Sequence, residues 1–279
     1  MTYFCASKYI KMTTEHLFDQ LWKEYTDRTP SAKKVKELFE AQGNTIYNDH
    51  VAFRTFDDSR VNIDVLSETF LNCGYEYKGD YHFPKKKLYA KHFQHKTDKN
   101  APLVFISQLI TSEFSVELQS IIKNTLNSVD FNTVSNDELV FKGRLWQTPN
   151  YEIYTRLLEE SEYAAWLYIN GFCSNHFTVD INKLETFNTI TEVNTFLKNN
   201  GFEMNASGGE IKGTPEDFLE QSSILADKIT VDFEDGTHEI TSCYYEFAYR
   251  HQMENGDIFK GFIASSADKI FESTDMVLQ

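Results

Sequence analysis

One order of elements occurs twice in this chain, and it narrows the possible folds more than any other feature. YNDHVAFRTFDD, residues 47–58, reads as a strand; the helix NIDVLSETFLNCG follows, stopped by Gly74, and then the short β-like runs YEYKGDYHF, KKLYAKHFQH and PLVFISQLI. Much later SNHFTVDIN reads as a strand. It is followed by the helix KLETFNTITEVNTFLKNNG, stopped by Gly201, a short helix, TPEDFLEQSS, and strands around ADKITVDFEDG and HEITSCYYEFAYR. Each unit opens on a strand that carries a histidine, His50 and His176, 126 residues apart. In the second strand, alternation puts Phe177, Val179 and Ile181 on one face and His176, Thr178 and Asp180 on the other. One face of that strand is apolar and the other polar with a possible ligand, and the order of elements predicts an α+β architecture, with the helical stretch over 112–166 packed against the sheets.

Around these units the chain is helical. TTEHLFDQLWKEYTDR, capped by a threonine, and SAKKVKELFEAQG form the N-terminal part, and residues 112–166 carry helical periodicity. We read a single domain: helices over 1–45, a first βαβββ-like unit over 46–111, a helical connector over 112–170, a second unit over 171–255 and a C-terminal segment over 256–279. The formal net charge is −15, and no large basic patch interrupts it, which argues against nucleic-acid binding and against general binding to anionic membranes. No run approaches the roughly 18 apolar residues of a spanning helix. The four cysteines form no CxxC pair and the N-terminus has no signal-peptide pattern, so a cytoplasmic protein with reduced thiols is expected. The sequence leaves the oligomeric state open.

The strand faces gather a constellation. In DHVAFR, His50, Ala52 and Arg54 share a face; in YYEFAYR, Tyr244, Glu246, Ala248 and Arg250 do. Both strands thus hold a potential ligand and an arginine four residues apart, about 13 Å along an extended strand. That space suits a small acid with a metal-chelating group at one end and a carboxylate at the other. His50, His176 and Glu246 make up the two-histidine, one-carboxylate set of non-haem Fe(II) oxygenases, which zinc also accepts.

Paired strand–helix–strands units closing on a central metal describe the vicinal-oxygen-chelate fold. FISQLITSEFSVELQSII, GFCSNHFTVDIN, GTPEDFLEQSSILADKITVDF and YYEFAYR together resemble the 2-oxoadipate dioxygenase/decarboxylase (D-2-hydroxyglutarate synthase) family of that superfamily, from about residue 47 to the C-terminal SADKIFEST. The resemblance implies a curved mixed sheet around Fe(II) held by His50, His176 and Glu246. It also implies a reaction in which a 2-oxo dicarboxylic acid, 2-oxoadipate in lysine breakdown, reduces O2 without a second 2-oxo acid, loses CO2 and becomes 2-hydroxyglutarate. Arg54 is then the residue that reads the distal carboxylate. The bacterial members are longer, which puts the identity of the acid, more than the metal site, in question. A redox-silent enzyme of the glyoxalase or hydrolase sort is the rival reading on the same fold.

The remaining candidates are subordinate. Arg250 is expected to support a ligand through a neighbouring acid, and Gln221, with Ser222 and Ser223, to follow a helix and hydrogen-bond a ligand or substrate. Ser265, with Ser266, is a candidate for the pocket mouth. His92 and His95 lie three apart, on opposite strand faces, and are expected at the surface with His82. No motif in the connector suggests chemistry.

Overall fold

The structure, a computed structural model, describes residues 13–263. Two helices lead: α1 (Thr14–Arg28), whose first turn is capped by Thr13 Oγ1 accepting from the His16 N–H, and α2 (Pro30–Ala41), which opens on a proline whose missing N–H the first turn does not need. The first unit follows as β1 (Asn48–Phe56), α3 (Ile63–Asn72), β2 (Tyr75–Phe83), β3 (Leu88–His95) and β4 (Leu103–Leu109). The connector contributes α4 (Val116–Asn127), α5 (Tyr151–Glu160) and α6 (Glu162–Asn170). The second unit is β5 (Ser174–Asp180), α7 (Ile190–Asn199), β6 (Leu219–Ser223), β7 (Lys228–Phe233), β8 (Gly236–Thr241) and β9 (Tyr244–Arg250).

Seven strands form one curled, half-barrel mixed sheet in the order β2-β3-β4-β1-β5-β9-β6. The repeat is visible in the ladders. In each unit the opening strand pairs in parallel with the last one, β1 with β4 and β5 with β9, and the two units meet antiparallel at β1 and β5. The second unit departs from the first at its outer edge. Among the described residues only the isolated bridges Met204–Ile224 and Lys212–Gln221 flank the outer side of β6, and β7 and β8 leave the sheet as a separate hairpin.

Two details differ from the sequence reading. TPEDFLEQSS is not a helix: a single 3-10 turn at Pro215–Asp217 stops at Phe218, which takes a left-handed φ of 62°, and the chain continues as β6. Gln221 therefore projects from a strand beside β9, not from a helix end. The helix read within 183–201 begins only at Ile190, where the Thr189 side chain accepts from the Glu192 N–H.

The apolar sheet face is buried as alternation requires. Phe177 packs against Trp22 and Tyr25 at ring-centroid distances of 5.2 and 5.0 Å, and Phe247 lies under Phe39 at 6.1 Å. Fully burying one such side chain contributes roughly 1.5–3 kcal/mol. The opposite, polar face is buried as well, and the site lies there. Its approach depends on Gly171 at the end of α6: φ is 64°, and a Cβ would sit 2.2 Å from the Gly143 carbonyl oxygen, so only glycine lets the chain turn there into β5.

Candidate metal centre

His50, His176 and Glu246 come from three adjacent strands. The β1–β5 register puts His50 opposite Thr178 and Ala52 opposite His176, and the β5–β9 register puts Thr178 beside Glu246 and His176 beside Tyr244. The three candidate ligand side chains converge, each offering one atom within 4.8 Å of the others, all buried. His50 Nε2 lies 3.4 Å from His176 Nε2 and 3.5 Å from Glu246 Oε1, and His176 Nε2 lies 3.3 Å from Glu246 Oε2. Ligands about 2.1 Å from a common centre stand roughly 3.0–3.4 Å apart. Glu246 Oε2 is buried and, despite that proximity, has no hydrogen-bond partner among the described residues. Its lone pairs point at shared space, which fits a cation.

The imidazoles are set for ligation by their predecessors in the chain. Asp49 Oδ2 lies 2.7 Å from His50 Nδ1, and Asn175 Oδ1 lies 3.0 Å from His176 Nδ1. With Nδ1–H donated to an oxygen, each Nε2 keeps its lone pair for a metal. A residue adjacent in a regular strand would face away. Here the β1–β5 ladder slips twice, once with Asp49 as the extra residue on β1 and once with Asn175 as the extra residue on β5. Each bulge turns the preceding side chain onto its histidine's face. Alternation alone hides both residues; the paired dipeptides Asp49-His50 and Asn175-His176 are the signal that could have revealed them.

Asp49 is held in turn by Arg250, whose Nε and Nη2 donate to Oδ1 and Oδ2 at 2.6 and 2.9 Å. Arg250 Nη1 donates to the carbonyls of Phe259 and Gly261, so the segment after β9 is tied to the same guanidinium. Phe262 then lays its ring edge-on to His50 at 4.9 Å. Gln221 Nε2 donates to Glu246 Oε1 at 2.5 Å. Burial raises the Asp49 carboxyl, but Arg250 and the bonds from His50 and Arg250 outweigh it and hold Asp49 well below the usual carboxylate range. Burial pushes Glu246 up, against the pull of His50 and Gln221, and pushes His176 well down, helped by His50 and Arg54. Both ligands are driven toward neutrality, and a divalent cation would favour the ionised carboxylate while taking the neutral imidazole.

Arg54 stands at the other end of the site. Its Nη1 donates to Glu162 Oε1 at 2.9 Å, and its guanidinium lies 4.9 Å from the Tyr163 ring and 5.0 Å from that of Trp166. All three partners belong to α6, so the connector, in which no chemistry was expected, builds one wall. Between Arg54 and the ligands, Ala52 supplies only a methyl group. The Tyr244 ring stacks on His176 at 4.7 Å, and its hydroxyl is buried without a hydrogen-bond partner among the described residues. Burial raises the Tyr244 phenol far above its ordinary value, Glu246 adds to the rise, and Arg54 opposes it.

Of the other expectations, Ser265 lies outside the described residues. Asp180 caps a 3-10 turn by accepting from the Asn182 N–H. His92 is not at the surface: it is buried, its Nδ1 lies 2.9 Å from the Tyr81 hydroxyl, and that hydroxyl accepts from the Phe262 N–H. The alternation that splits His92 from His95 also sets His92 on the face of Leu88 and Ala90, which is buried. Burial, with Arg250 and Lys78, pushes His92 down to about 4. The unfolded chain takes up this proton near pH 6.5, so the stabilisation is complete above that pH and lost as pH falls toward 4. Between pH 7 and 5 the loss from this group should be about 2 kcal/mol. The unfolding free energy of His92→Gln from denaturant titration should fall by that much less over the interval; equal falls in both proteins would show that His92 does not titrate this way.

The profile of the 2-oxoadipate dioxygenase/decarboxylase family matches residues 15–258. The chain belongs to that family. A relative from Oryza sativa subsp. japonica, named 2-oxoadipate dioxygenase/decarboxylase, chloroplastic/amyloplastic, is 36% identical over 276 residues, which cover 90% of this chain and 76% of the relative. The crystal structure of the hydroxyglutarate synthase from Oryza sativa in complex with 2-oxoadipate superposes with a TM-score of 0.87 at 34% identity, covering 93% of this chain and 91% of that one. A structure from Shewanella frigidimarina, described as a putative hydrolase, gives a TM-score of 0.85 at 48% identity over 90% of this chain and 98% of its own. A glyoxalase-superfamily structure from Ralstonia eutropha, at 19% identity and a TM-score of 0.76, shares the fold. Membership makes this chain an oxidative enzyme. Among the described residues no helix is long and apolar enough to cross a membrane.

Proposed function

We propose that the enzyme is an Fe(II)-dependent dioxygenase/decarboxylase that converts 2-oxoadipate and O2 to 2-hydroxyglutarate and CO2, a step of lysine breakdown. The observation that carries the reading is the convergence of His50, His176 and Glu246 at one end of a buried site whose other end is a buried arginine. The equation balances: C1 leaves as CO2 with its own two oxygens, one atom of O2 completes the carboxylate at the former keto carbon, the other becomes the hydroxyl on the neighbouring carbon, and the substrate supplies the electrons. Fe(II) in this donor set would leave positions open for the 2-oxo acid head and for O2, and would carry the redox chemistry.

The residues of the chain do the rest. Asp49 and Asn175 hold the two imidazoles in the ligating tautomer, Arg250 fixes Asp49, and Gln221 fixes one oxygen of Glu246. Arg54 orients the acid by its distal carboxylate, with Tyr163 and Trp166 against the guanidinium to limit its movement. Phe262 and α6 close the site against water. We place the enzyme in a reducing compartment, the cytoplasm being the simplest, supported by buried thiols at Cys173 and Cys243 that form no disulfide.

Arg54→Ala should raise the KM for 2-oxoadipate by about 100-fold, the scale of a lost charge-assisted contact, with iron content unchanged. Kinetics and elemental analysis of the same preparations check it. Loss of iron from the variant would show that Arg54 serves the metal site instead.

A further inference from the structure

Tyr244 is the largest polar side chain in the site with no task so far. Its residue is wholly buried, its hydroxyl has no hydrogen-bond partner among the described residues, and a polar group left that way costs roughly 1–3 kcal/mol. Native structures seldom tolerate such a group unless it serves a function. Its position says what it faces. Tyr244 and Glu246 are two apart on β9 and share the polar face, and the ring is stacked on the ligand His176. Registers place it in the row of His176 and Ala52, one row from His50, Thr178 and Glu246 and on the side toward Arg54. A phenol is a donor at neutral pH, and a carboxylate can accept more bonds than one guanidinium fork provides.

We propose that the Tyr244 hydroxyl is a second reader of the substrate's distal carboxylate, donating a hydrogen bond to it beside Arg54, and so sets the preference for a dicarboxylic over a monocarboxylic 2-oxo acid. The inference rests on the substrate class proposed above.

The test is Tyr244→Phe, which removes one oxygen and keeps the ring on His176. Binding is measured by calorimetry without oxygen on the iron-loaded proteins, with 2-oxoadipate and with 2-oxohexanoate, its counterpart of equal length lacking the distal carboxylate. Wild-type protein should bind 2-oxoadipate about 10- to 100-fold more tightly than the variant. Binding of 2-oxohexanoate should agree within twofold, iron content should match, and the metal-free variant should melt no lower than wild type. Equal 2-oxoadipate binding by the two proteins overturns the proposal and leaves the substrate reading intact. Equal losses for both acids overturn it too, as does loss of iron, which would make the residue a support for His176. Failure of wild-type protein itself to bind 2-oxoadipate overturns the substrate reading and this inference with it.

Discussion

Replacing Glu246 by glutamine should abolish metal-dependent turnover and yet make the metal-free protein harder to melt. The carboxylate is fully buried, one of its oxygens has no hydrogen-bond partner among the described residues, and its folded-state pKa is raised by burial. A group whose folded pKa is raised in this way destabilises the fold while it is ionised, above that pKa. The penalty fades as pH falls toward the ordinary carboxylate range. Glutamine fills the same volume without the charge, and can still meet Gln221 after an amide rotation. The metal loses its only anionic ligand, so we expect retained iron to fall by at least about 100-fold and oxygen uptake to reach background. Elemental analysis and calorimetry on one preparation read both halves. Wild-type iron content in Glu246→Gln would remove Glu246 from the ligand set.

The second large effect falls on Asp49 and Arg250, which touch no metal in the proposed scheme. Their ion pair is bidentate and buried on both sides. Removing one partner strands the other's charge away from water, at a cost of about 3–5 kcal/mol. Asp49→Ala should therefore melt roughly 6–20 °C below wild type. It should also bind iron about 10- to 100-fold more weakly, because His50 loses the acceptor that fixes its tautomer. The double replacement Asp49→Leu with Arg250→Met separates the two effects: stability should largely return, and metal affinity should not. Recovery of both would mean that the pair acts on the fold alone. The carbonyls of Phe259 and Gly261 bind the same guanidinium, so Arg250→Met should also loosen the segment that carries Phe262.

Strand alternation places His50, His176 and Glu246 each on the polar face of its own strand; that this face is buried and that the three meet on it is shown by the structure. The facing is a local property, legible because the period of a strand is fixed. What alternation concealed were departures from itself. The bulges at Asp49 and Asn175 reverse the expected facing of both residues, and the left-handed Phe218 converts an expected helix into β6, which delivers Gln221 to Glu246. Glu162, Tyr163 and Trp166 were beyond reach for another reason. They approach Arg54 from a helix more than 100 residues downstream, and no periodicity records such a contact. Arg250 pairs with an acid, Asp49, which alternation hides because it adjoins His50 and would face away from it in a regular strand.

The central claim is that the triad carries oxygen chemistry on a 2-oxo acid. A glyoxalase- or hydrolase-like enzyme could hold zinc, nickel or cobalt in the same donors and consume no oxygen. The direct test is oxygen uptake by Fe(II)-reconstituted protein under reductant, with and without 2-oxoadipate labelled at C1, while released CO2 is counted. We expect uptake only with substrate, about one labelled CO2 per O2 as the balanced reaction requires, and none with Glu246→Gln. Full iron loading with no uptake on any 2-oxo acid would contradict the account and transfer the site to redox-silent chemistry.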